Sequence, residues 1–428
     1  MKHKHVFMIV ACAAALAAVC VDAYGVTLKL DQVRQRYPWN GLVDIDYTIA
    51  LAQGETLGAD DNLEVTVIDR SVEPAVTNRA LAFLQLPLPL TAGSHRITWE
   101  ANCDGVTNYT DKAEIVIKIV HYAPAYMVID VSGGPTADVY PVDFLDGAPP
   151  LGGFFDNEYK GDKIVLRRIR PGSYFAGAPV GEIGRAGSGE TQHRVRISRP
   201  FYIGIYEITQ KQYENVMDAT PSKNTDDYRP VEQVTYEAIR GGSWPTASEP
   251  DEDSFIGRLL KKCKAKDGSG NYAVPVPGFD LPTEFQWEYA CRAGTTKAFN
   301  RTDDYDDSTS GKQQAELELL GRYAGNVAKG GGGFSKAHTT VGSYQPNAWG
   351  LYDMHGNVWE LCRDWYSVDI VSLKQYVDPV GPDSAAQRVM RGGAYDCGYD
   401  WCRSAIRSGR SPSSGYESIG FRLSLTQP

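Results

Sequence analysis

The residue best suited to chemistry in this sequence is an acidic side chain inside an aromatic, irregular stretch. Glu360 lies in Asn347–Trp365, which contains four aromatic residues, two glycines and two asparagines. Neither helical nor strand periodicity runs through this stretch, so it is predicted to be buried without regular structure. Its backbone polar groups then need unusual partners, such as side-chain amides, water or a cation. Glu360 is therefore a candidate metal ligand facing inward, and the alternative is a carboxylate hydrogen-bonded to loop amides.

Part of this stretch, reading GLYDMHGNVWEL, resembles the signature of the formylglycine-generating-enzyme family, also called the sulfatase-modifying-factor domain. Four further blocks agree with the family in order and position: Phe201–Tyr213, Pro230–Tyr236, Leu281–Gly294 and Arg391–Arg422. The resemblance covers about Asp162 to Leu425. It implies a loop-rich fold related to C-type lectins, whereas function must be argued from the site.

The resemblance also implies a reaction. Active family members oxidise a sulfatase cysteine to formylglycine with two cysteines that hold copper(I), a soft ion that prefers sulfur ligands. Counting forward from the turn Arg391–Gly393 places Cys397 and Cys402 at these catalytic positions. In this register the two cysteines are predicted to form a copper pair.

Counting backward from Gly420–Arg422 without gaps gives a different register. It places Ala394 and Tyr399 at the catalytic positions, which implies a deletion between Cys402 and Pro412. The alternative to a copper pair is then a structural disulfide or buried thiols. In an oxidising compartment this second interpretation is favoured.

Family members bind calcium at two positions, through a few side chains and several backbone carbonyls. The residues that match the first position are Asp353, Gly356, Val358 and Glu360. Asp353 stands where the family has Asn. Asn326 and Val327 match the start of the second position, which also expects an acidic residue before a Gly-Phe pair, where this sequence has Gly332. The resemblance thus implies structural calcium at the first position, and the missing carboxylate argues against the second.

Two short helices are predicted to form core around this site. Thr209 with Gln212, and Thr283 with Gln286, have the spacing of capping boxes, and the second box predicts a helix over 284–292. Residues 162–425 are predicted to form one α+β, loop-rich domain of the formylglycine-generating-enzyme type. These helices support the site and are not expected to take part in its chemistry.

The first third of the chain lies outside the resemblance. Residues 24–122 contain short β-branched runs separated by turn signals, and predict an all-β module of the immunoglobulin or fibronectin sandwich type. The apolar positions expected on strand faces are Val43, Ile45, Tyr47, Ile49, Ile115, Ile117 and Ile119. Residues 123–161, rich in Pro and Gly, are predicted to be a linker with extended segments.

Met1–Ala23 has the features of a signal peptide, with Lys2 and Lys4 before an apolar run. Cleavage is expected before Tyr24, so the protein is predicted to be exported, periplasmic or extracellular, with no integral membrane segment. The net charge of -10 argues against nucleic acid as a partner. The histidines show no paired spacing of the kind that zinc sites use.

The mature chain would keep six cysteines, an even number that permits disulfides without fixing their pairing: Cys103, Cys263, Cys291, Cys362, Cys397 and Cys402. Cys291 matches a family cysteine whose usual partner is replaced here by Leu423. It is therefore either a buried free thiol or paired with Cys263.

Two main function classes follow. The favoured one is a non-catalytic module that binds an unknown protein or small molecule through the loop Tyr395–Tyr416, whose composition suits polar recognition with aromatic anchors. The residues expected to contact the ligand are Tyr395, Tyr399, Trp401, Arg407 and Tyr416. The alternative is a formylglycine-generating oxidase that acts on a sulfatase and uses copper. An iron site built from His193, His338 and His355 ranks third, because these residues are scattered along the chain.

Overall fold

A computed structural model describes residues 9–12, 19–21, 26–36, 41–57, 61–70, 74–80, 83, 90–104, 106, 113–121, 124–149, 153–242, 244–245, 248–301, 308–327 and 337–426. The chain divides into two compact units, Met1–Ala123 and Pro124–Pro428. Within the described residues, no helix has the length and apolar character needed to cross a membrane.

The first unit is built from eight described strands: β1 (Ile9–Cys12), β2 (Val19–Val21), β3 (Val26–Gln35), β4 (Leu42–Leu51), β5 (Asp61–Asp69), β6 (Val76–Ala80), β7 (Gly93–Glu100) and β8 (Ala113–His121). They form two four-stranded antiparallel sheets, ordered β1-β8-β5-β6 and β2-β3-β4-β7. Alternate apolar residues of both sheets share one hydrophobic core, as predicted for Val43, Ile45, Tyr47, Ile49, Ile115, Ile117 and Ile119. The strands β1 and β2 lie within the predicted signal peptide.

The second unit contains fourteen described strands: β9 (Tyr126–Asp130), β10 (Tyr140–Leu145), β11 (Lys163–Ile169), β12 (Gly172–Ala176), β13 (His193–Ile197), β14 (Phe201–Gly204), β15 (Cys263–Lys266), β16 (Tyr272–Pro275), β17 (Phe279–Asp280), β18 (Trp359–Trp365), β19 (Arg388–Arg391), β20 (Ser408–Arg410), β21 (Ile419–Gly420) and β22 (Ser424–Thr426). The sheets are β16-β15-β10-β9-β11-β14-β22-β17, β12-β13 and β20-β19-β18-β21. The predicted linker 123–161 supplies β9 and β10, so its extended segments belong to this unit.

The helices of the second unit are short: α1 (Glu158–Gly161), α2 (Gln210–Met217), α3 (Tyr236–Ile239), α4 (Phe255–Lys262), α5 (Glu284–Arg292) and α6 (Ser310–Leu320). Both predicted capping boxes are present, at Thr209 before α2 and at Thr283 before α5. Each box satisfies backbone N–H groups that the first helical turn leaves without partners. The second unit is therefore a mixed α and β, strand-rich structure, as its sequence predicts.

The aromatic stretch Asn347–Trp365 is irregular only in its first part. Residues 347–358 contain no helix or strand, but Trp359–Trp365 forms β18, between β19 and β21. The prediction that no regular element occurs here was wrong for these seven residues. The strand was missed because both of its faces are buried, which removes the polar–apolar alternation by which strands are recognised.

Candidate ligand-binding cleft

A cleft of about 300 Å³ opens over the sheet β20-β19-β18-β21. Its floor is apolar, because Trp359, Met390 and Ile419 are buried in the core below. Its rim carries an aromatic ring and charges of both signs, from Trp401, Asp396 and Arg410. The rings of Trp359 and Trp401 meet edge to face, with centroids 6.4 Å apart. The lining as a whole exposes more polar than apolar surface, so the cleft suits a polar ligand that also carries an apolar group.

The wall of the cleft is the segment that follows the turn Arg391–Gly393. Gly393 has φ +77°, and a Cβ atom there would overlap the carbonyl oxygen of Trp401, so the turn requires glycine. The Cys402 N–H then donates to the Tyr399 carbonyl oxygen at 3.0 Å, closing a short 3-10 helix over Tyr399–Trp401. This turn leaves Trp401 47% exposed at the rim.

Two buried arginines hold this wall in place. The Arg403 guanidinium donates to both carboxylate oxygens of Glu190, each at 2.9 Å, and to Glu182 at 2.7 Å. Arg407 forms a two-point ion pair with Glu284, at the start of α5. Bidentate charge-assisted pairs fix orientation as well as position. The cleft wall is thereby fixed to distant parts of the second unit.

Cys397 lines the cleft, and Cys402 is fully buried behind it. Burial raises the pKa of the Cys397 thiol to about 11, and the neighbouring Asp396 adds to the effect. Burial also holds the pKa of Cys402 well above its usual range. Both residues are free thiols, and at neutral pH both are protonated. A reactive cysteine needs the opposite environment, in which nearby positive charge stabilises the thiolate.

The two registers predicted for the catalytic positions differ in what they place beside the cleft. Ala394 is fully buried, and Tyr399 is half-buried at the start of the 3-10 helix.

Cys263 and Cys291 are also free, so they are not paired with each other. Burial raises the pKa of Cys291 to about 12. The thiols with described side chains are thus buried or half-buried and unpaired.

The residues predicted to contact a ligand separate into exposed and buried groups. Trp401 and Tyr416 are exposed, and the Tyr416 ring stacks against the Arg410 guanidinium at 3.8 Å. Tyr395 is buried, with its ring 5.8 Å from that of His338. Arg407 donates all three of its side-chain nitrogens to protein acceptors. The exposed part of the predicted surface is therefore smaller than the sequence suggested.

The first predicted cation position is a cluster of buried carboxyls. Both Glu360 oxygens are engaged, at 2.6 Å by Arg422 and at 2.7 Å by the Trp287 indole N–H. One Asp353 oxygen accepts from the Gly342 N–H at 2.6 Å. The other, Oδ1, is buried without a hydrogen-bond partner among the described residues. Such an oxygen fits a hard cation, whereas Glu360 would have to share its ion pair.

Electrostatics at this cluster also favour positive charge. Burial raises the pKa of Asp353 to about 6. A third carboxyl, that of Glu207, accepts from the Asn357 amide at 2.6 Å and from the Val358 N–H at 3.2 Å. Burial and the neighbouring Asp353 hold the pKa of Glu207 well above its usual range. Gly356 needs to be glycine, because a Cβ atom there would overlap the Arg322 carbonyl oxygen.

At the second predicted position the side chain of Asn326 is already engaged. Its oxygen accepts from the Tyr323 N–H at 3.0 Å, and its amide donates to the Gly321 carbonyl at 2.8 Å. The backbone carbonyls of Asn326 and Val327 accept hydrogen bonds from Arg322. Gly332, which stands where the family has an acidic residue, lies outside the described residues. Across the described part of the chain, no group of three or more His, Cys, Asp or Glu side chains is arranged to hold a metal ion.

Residues 157–426, more than half of the chain, match the Sulfatase-modifying factor enzyme 1-like domain. The chain belongs to the sulfatase-modifying-factor family. It is 34% identical over 282 residues to the formylglycine-generating enzyme of Streptomyces coelicolor, a match covering 60% of this chain and 87% of that protein. It is also 30% identical over 226 residues to the serine/threonine-protein kinase pkn1 of Chlamydia caviae, covering 52% of this chain and 32% of the kinase.

One of the solved structures to which this chain is similar is that of PvdO from Pseudomonas aeruginosa. It is 21% identical, with a TM-score of 0.48, and the match covers 61% of this chain and 94% of PvdO. The family match begins at 157, so it leaves out β9 and β10, which pair with the rest of the second unit.

Several residues of the cleft and of the two cation positions were not predicted from the sequence. Glu207 had a usable signal, because it is the one acidic residue in the apolar run Phe201–Ile208. Asp396 and Arg410 lie in the predicted contact loop Tyr395–Tyr416, but nothing in the sequence singled them out from its other charged residues. Arg322 gave no signal either, since its role depends on carbonyl groups that only the folded backbone brings together.

Proposed function

We propose that this chain is an exported, non-catalytic member of the sulfatase-modifying-factor family that binds a protein or small-molecule ligand in the cleft over β18–β21. One observation carries the proposal. The two thiols at the catalytic positions of the forward register lie in surroundings that keep them protonated. Burial is the main cause, and the neighbouring Asp396 raises the pKa of both thiols further. The rim beside them offers an exposed aromatic ring and two opposite charges, from Trp401, Asp396 and Arg410.

The floor and rim together define the kind of ligand expected. The buried apolar floor suits an apolar group, and Trp401 offers a large, rigid contact surface at low entropic cost. Asp396 and Arg410 suit a ligand with polar groups of both signs. A volume of about 300 Å³ is at the small end for ligand sites, so only part of a larger ligand would enter.

The test combines a catalytic assay with a binding assay. The reduced protein, loaded with copper(I), is mixed with a peptide carrying the sulfatase motif Cys-x-Pro-x-Arg under oxygen, and mass spectrometry follows the peptide cysteine. The Streptomyces coelicolor enzyme serves as the positive control. We expect no aldehyde. Turnover that disappears in Cys397→Ser would overturn the proposal.

The binding assay uses arrays of short peptides and of glycans, probed with the wild-type chain. We expect a binder whose signal is lost in Trp401→Ala. It should be retained in Val180→Ala, which removes an exposed apolar side chain that does not line the cleft. Equal loss in both variants, or no binder on either array, would contradict a ligand site in this cleft.

The second candidate function is the formylglycine-generating oxidase. Two observations favour it. Cys397 lies on the cleft wall. Cys402 belongs to the same wall segment, and the two thiols are close enough for Cys397 to raise the pKa of Cys402. Two free thiols suit copper(I), which would supply the oxygen chemistry when bound. The substrate would then be a sulfatase. The catalytic assay above distinguishes this function from binding alone.

We further propose calcium at the first cation position, supported by the unpartnered oxygen of Asp353, with Gly356, Val358 and Glu360 as the other ligands.

Export with cleavage before Tyr24 would remove β1 and β2. Both are edge strands, so the three remaining strands of each sheet would keep their pairing. The first unit would then be an immunoglobulin-type or fibronectin-type sandwich, and the second a relative of the C-type lectins.

A further inference from the structure

Arg322 gathers three backbone carbonyl oxygens around one guanidinium group. It lies two residues after α6, and its Nη1 and Nη2 donate to the carbonyls of Asn326 at 3.1 Å and Val327 at 3.2 Å. Its Nε donates to the Ala337 carbonyl at 3.4 Å. In a calcium site, several carbonyl oxygens likewise surround one positive charge, that of the metal ion.

Two of these carbonyl groups belong to the residues that match the second calcium position of the family. A guanidinium stays charged in proteins and has five N–H donors but no acceptor. A divalent cation bound to the same oxygens would lie beside this fixed positive charge and would be repelled by it. The Asn326 side chain is also engaged, because its oxygen accepts from the Tyr323 N–H and its amide donates to the Gly321 carbonyl. The residues present therefore do not fit a metal.

We propose that Arg322 takes the place of the metal ion at this position, so that the carbonyl groups of Asn326, Val327 and Ala337 have a positively charged partner without calcium. The guanidinium joins Asn326 and Val327 to Ala337, ten residues further along the chain from Val327. The guanidinium group can replace an ion here because a buried backbone carbonyl needs a partner for its oxygen. An N–H donor meets that need as well as a metal ion does.

The brace also reaches the wall of the cleft. The Arg322 carbonyl accepts from the Asn357 N–H at 2.8 Å, and the Asn357 carbonyl accepts from the Tyr395 N–H at 2.9 Å. Tyr395 begins the loop that carries Cys397 and Trp401. The backbone of Arg322 is therefore linked to this loop through Asn357, which lies between two residues of the first cation position.

The first test locates a metal directly. Crystals of the full chain are grown or soaked with terbium(III), which occupies calcium sites and is located by its anomalous scattering. We expect no peak within bonding distance of the Asn326 and Val327 carbonyl oxygens. A peak at that point would overturn the proposal, and a peak at Asp353 would not affect it.

The second test measures stability in the presence of a chelator. Arg322→Ala removes three hydrogen bonds to backbone carbonyls, and we expect its unfolding midpoint to fall by about 5 °C or more. The control is Arg301→Ala, which removes an exposed arginine that pairs with Glu316 at 3.0 Å. A midpoint for Arg322→Ala equal to that of the control would overturn the proposal. If Arg322→Ala does not fold, the terbium experiment on the wild type still decides.

Discussion

Replacing Glu360 by Gln tests whether its buried ion pair with Arg422, near the start of β18, stabilises the second unit. Glu360 and Arg422 are fully buried, and two hydrogen bonds of 2.6 Å join them. The register places Glu360 opposite Arg391 on one side and Gly420 on the other. Glutamine keeps the shape of the side chain and removes the charge, so the change isolates the electrostatic part of the interaction.

The expected magnitude follows from what Arg422 loses. Removing one partner of a buried ion pair typically costs about 3–5 kcal/mol, because the other charge stays buried without compensation. Here the carboxyls of Glu207 and Asp353 also act on Arg422, so we expect a value near the lower end, about 3 kcal/mol. For a unit the size of Pro124–Pro428 that corresponds to a fall of roughly 5 °C in the unfolding midpoint.

Thermal unfolding followed by circular dichroism in EDTA measures this change without interference from calcium. The control is Asp143→Asn, which breaks an exposed pair with Lys266 at 2.7 Å. Exposed pairs contribute at most about 1 kcal/mol. The reasoning is refuted if Glu360→Gln costs no more than the control, since the buried pair would then be replaceable by neutral hydrogen bonds.

Two further predictions concern titratable groups. Burial raises the pKa of Asp364 to about 7 from a usual value of 3.8. Between these two pH values the folded state holds a proton that the unfolded chain has released. The stability of the folded state therefore falls as the pH rises from about 4 to about 7. The Asp364→Asn side chain can still accept a hydrogen bond from the Glu284 N–H. At pH values above 7 this variant should have a higher thermal unfolding midpoint than the wild type, and near pH 4 the two midpoints should be similar. An equal shift at both pH values would contradict this. Iodoacetamide at neutral pH should alkylate Cys397 about two orders of magnitude more slowly than a free cysteine, and Cys402 only after unfolding. Peptide mapping by mass spectrometry measures both rates, and fast alkylation of Cys397 would point instead to an activated thiol.

Local patterns were sufficient for several features of the fold. The capping boxes at Thr209 and Thr283 were predicted and are present, because their hydrogen bonds join residues three apart in sequence. The alternating apolar residues of β4 were predicted to lie in a core for the same reason, since the spacing of two is set by the strand itself. Strand β18 escaped recognition because burial on both faces left no alternation to read.

The sequence by itself determined the family, because its motif blocks are contiguous and ordered, and it pointed to Cys397 and Cys402 as neighbours at one loop. Only the tertiary structure decided what those residues can do. The pairing of Arg403 with Glu190, 213 residues away, and of Arg422 with Glu360, 62 residues away, depends on how strands and loops pack. The state of a thiol or carboxyl depends on the burial and charge that this packing creates, and no spacing in the chain encodes that.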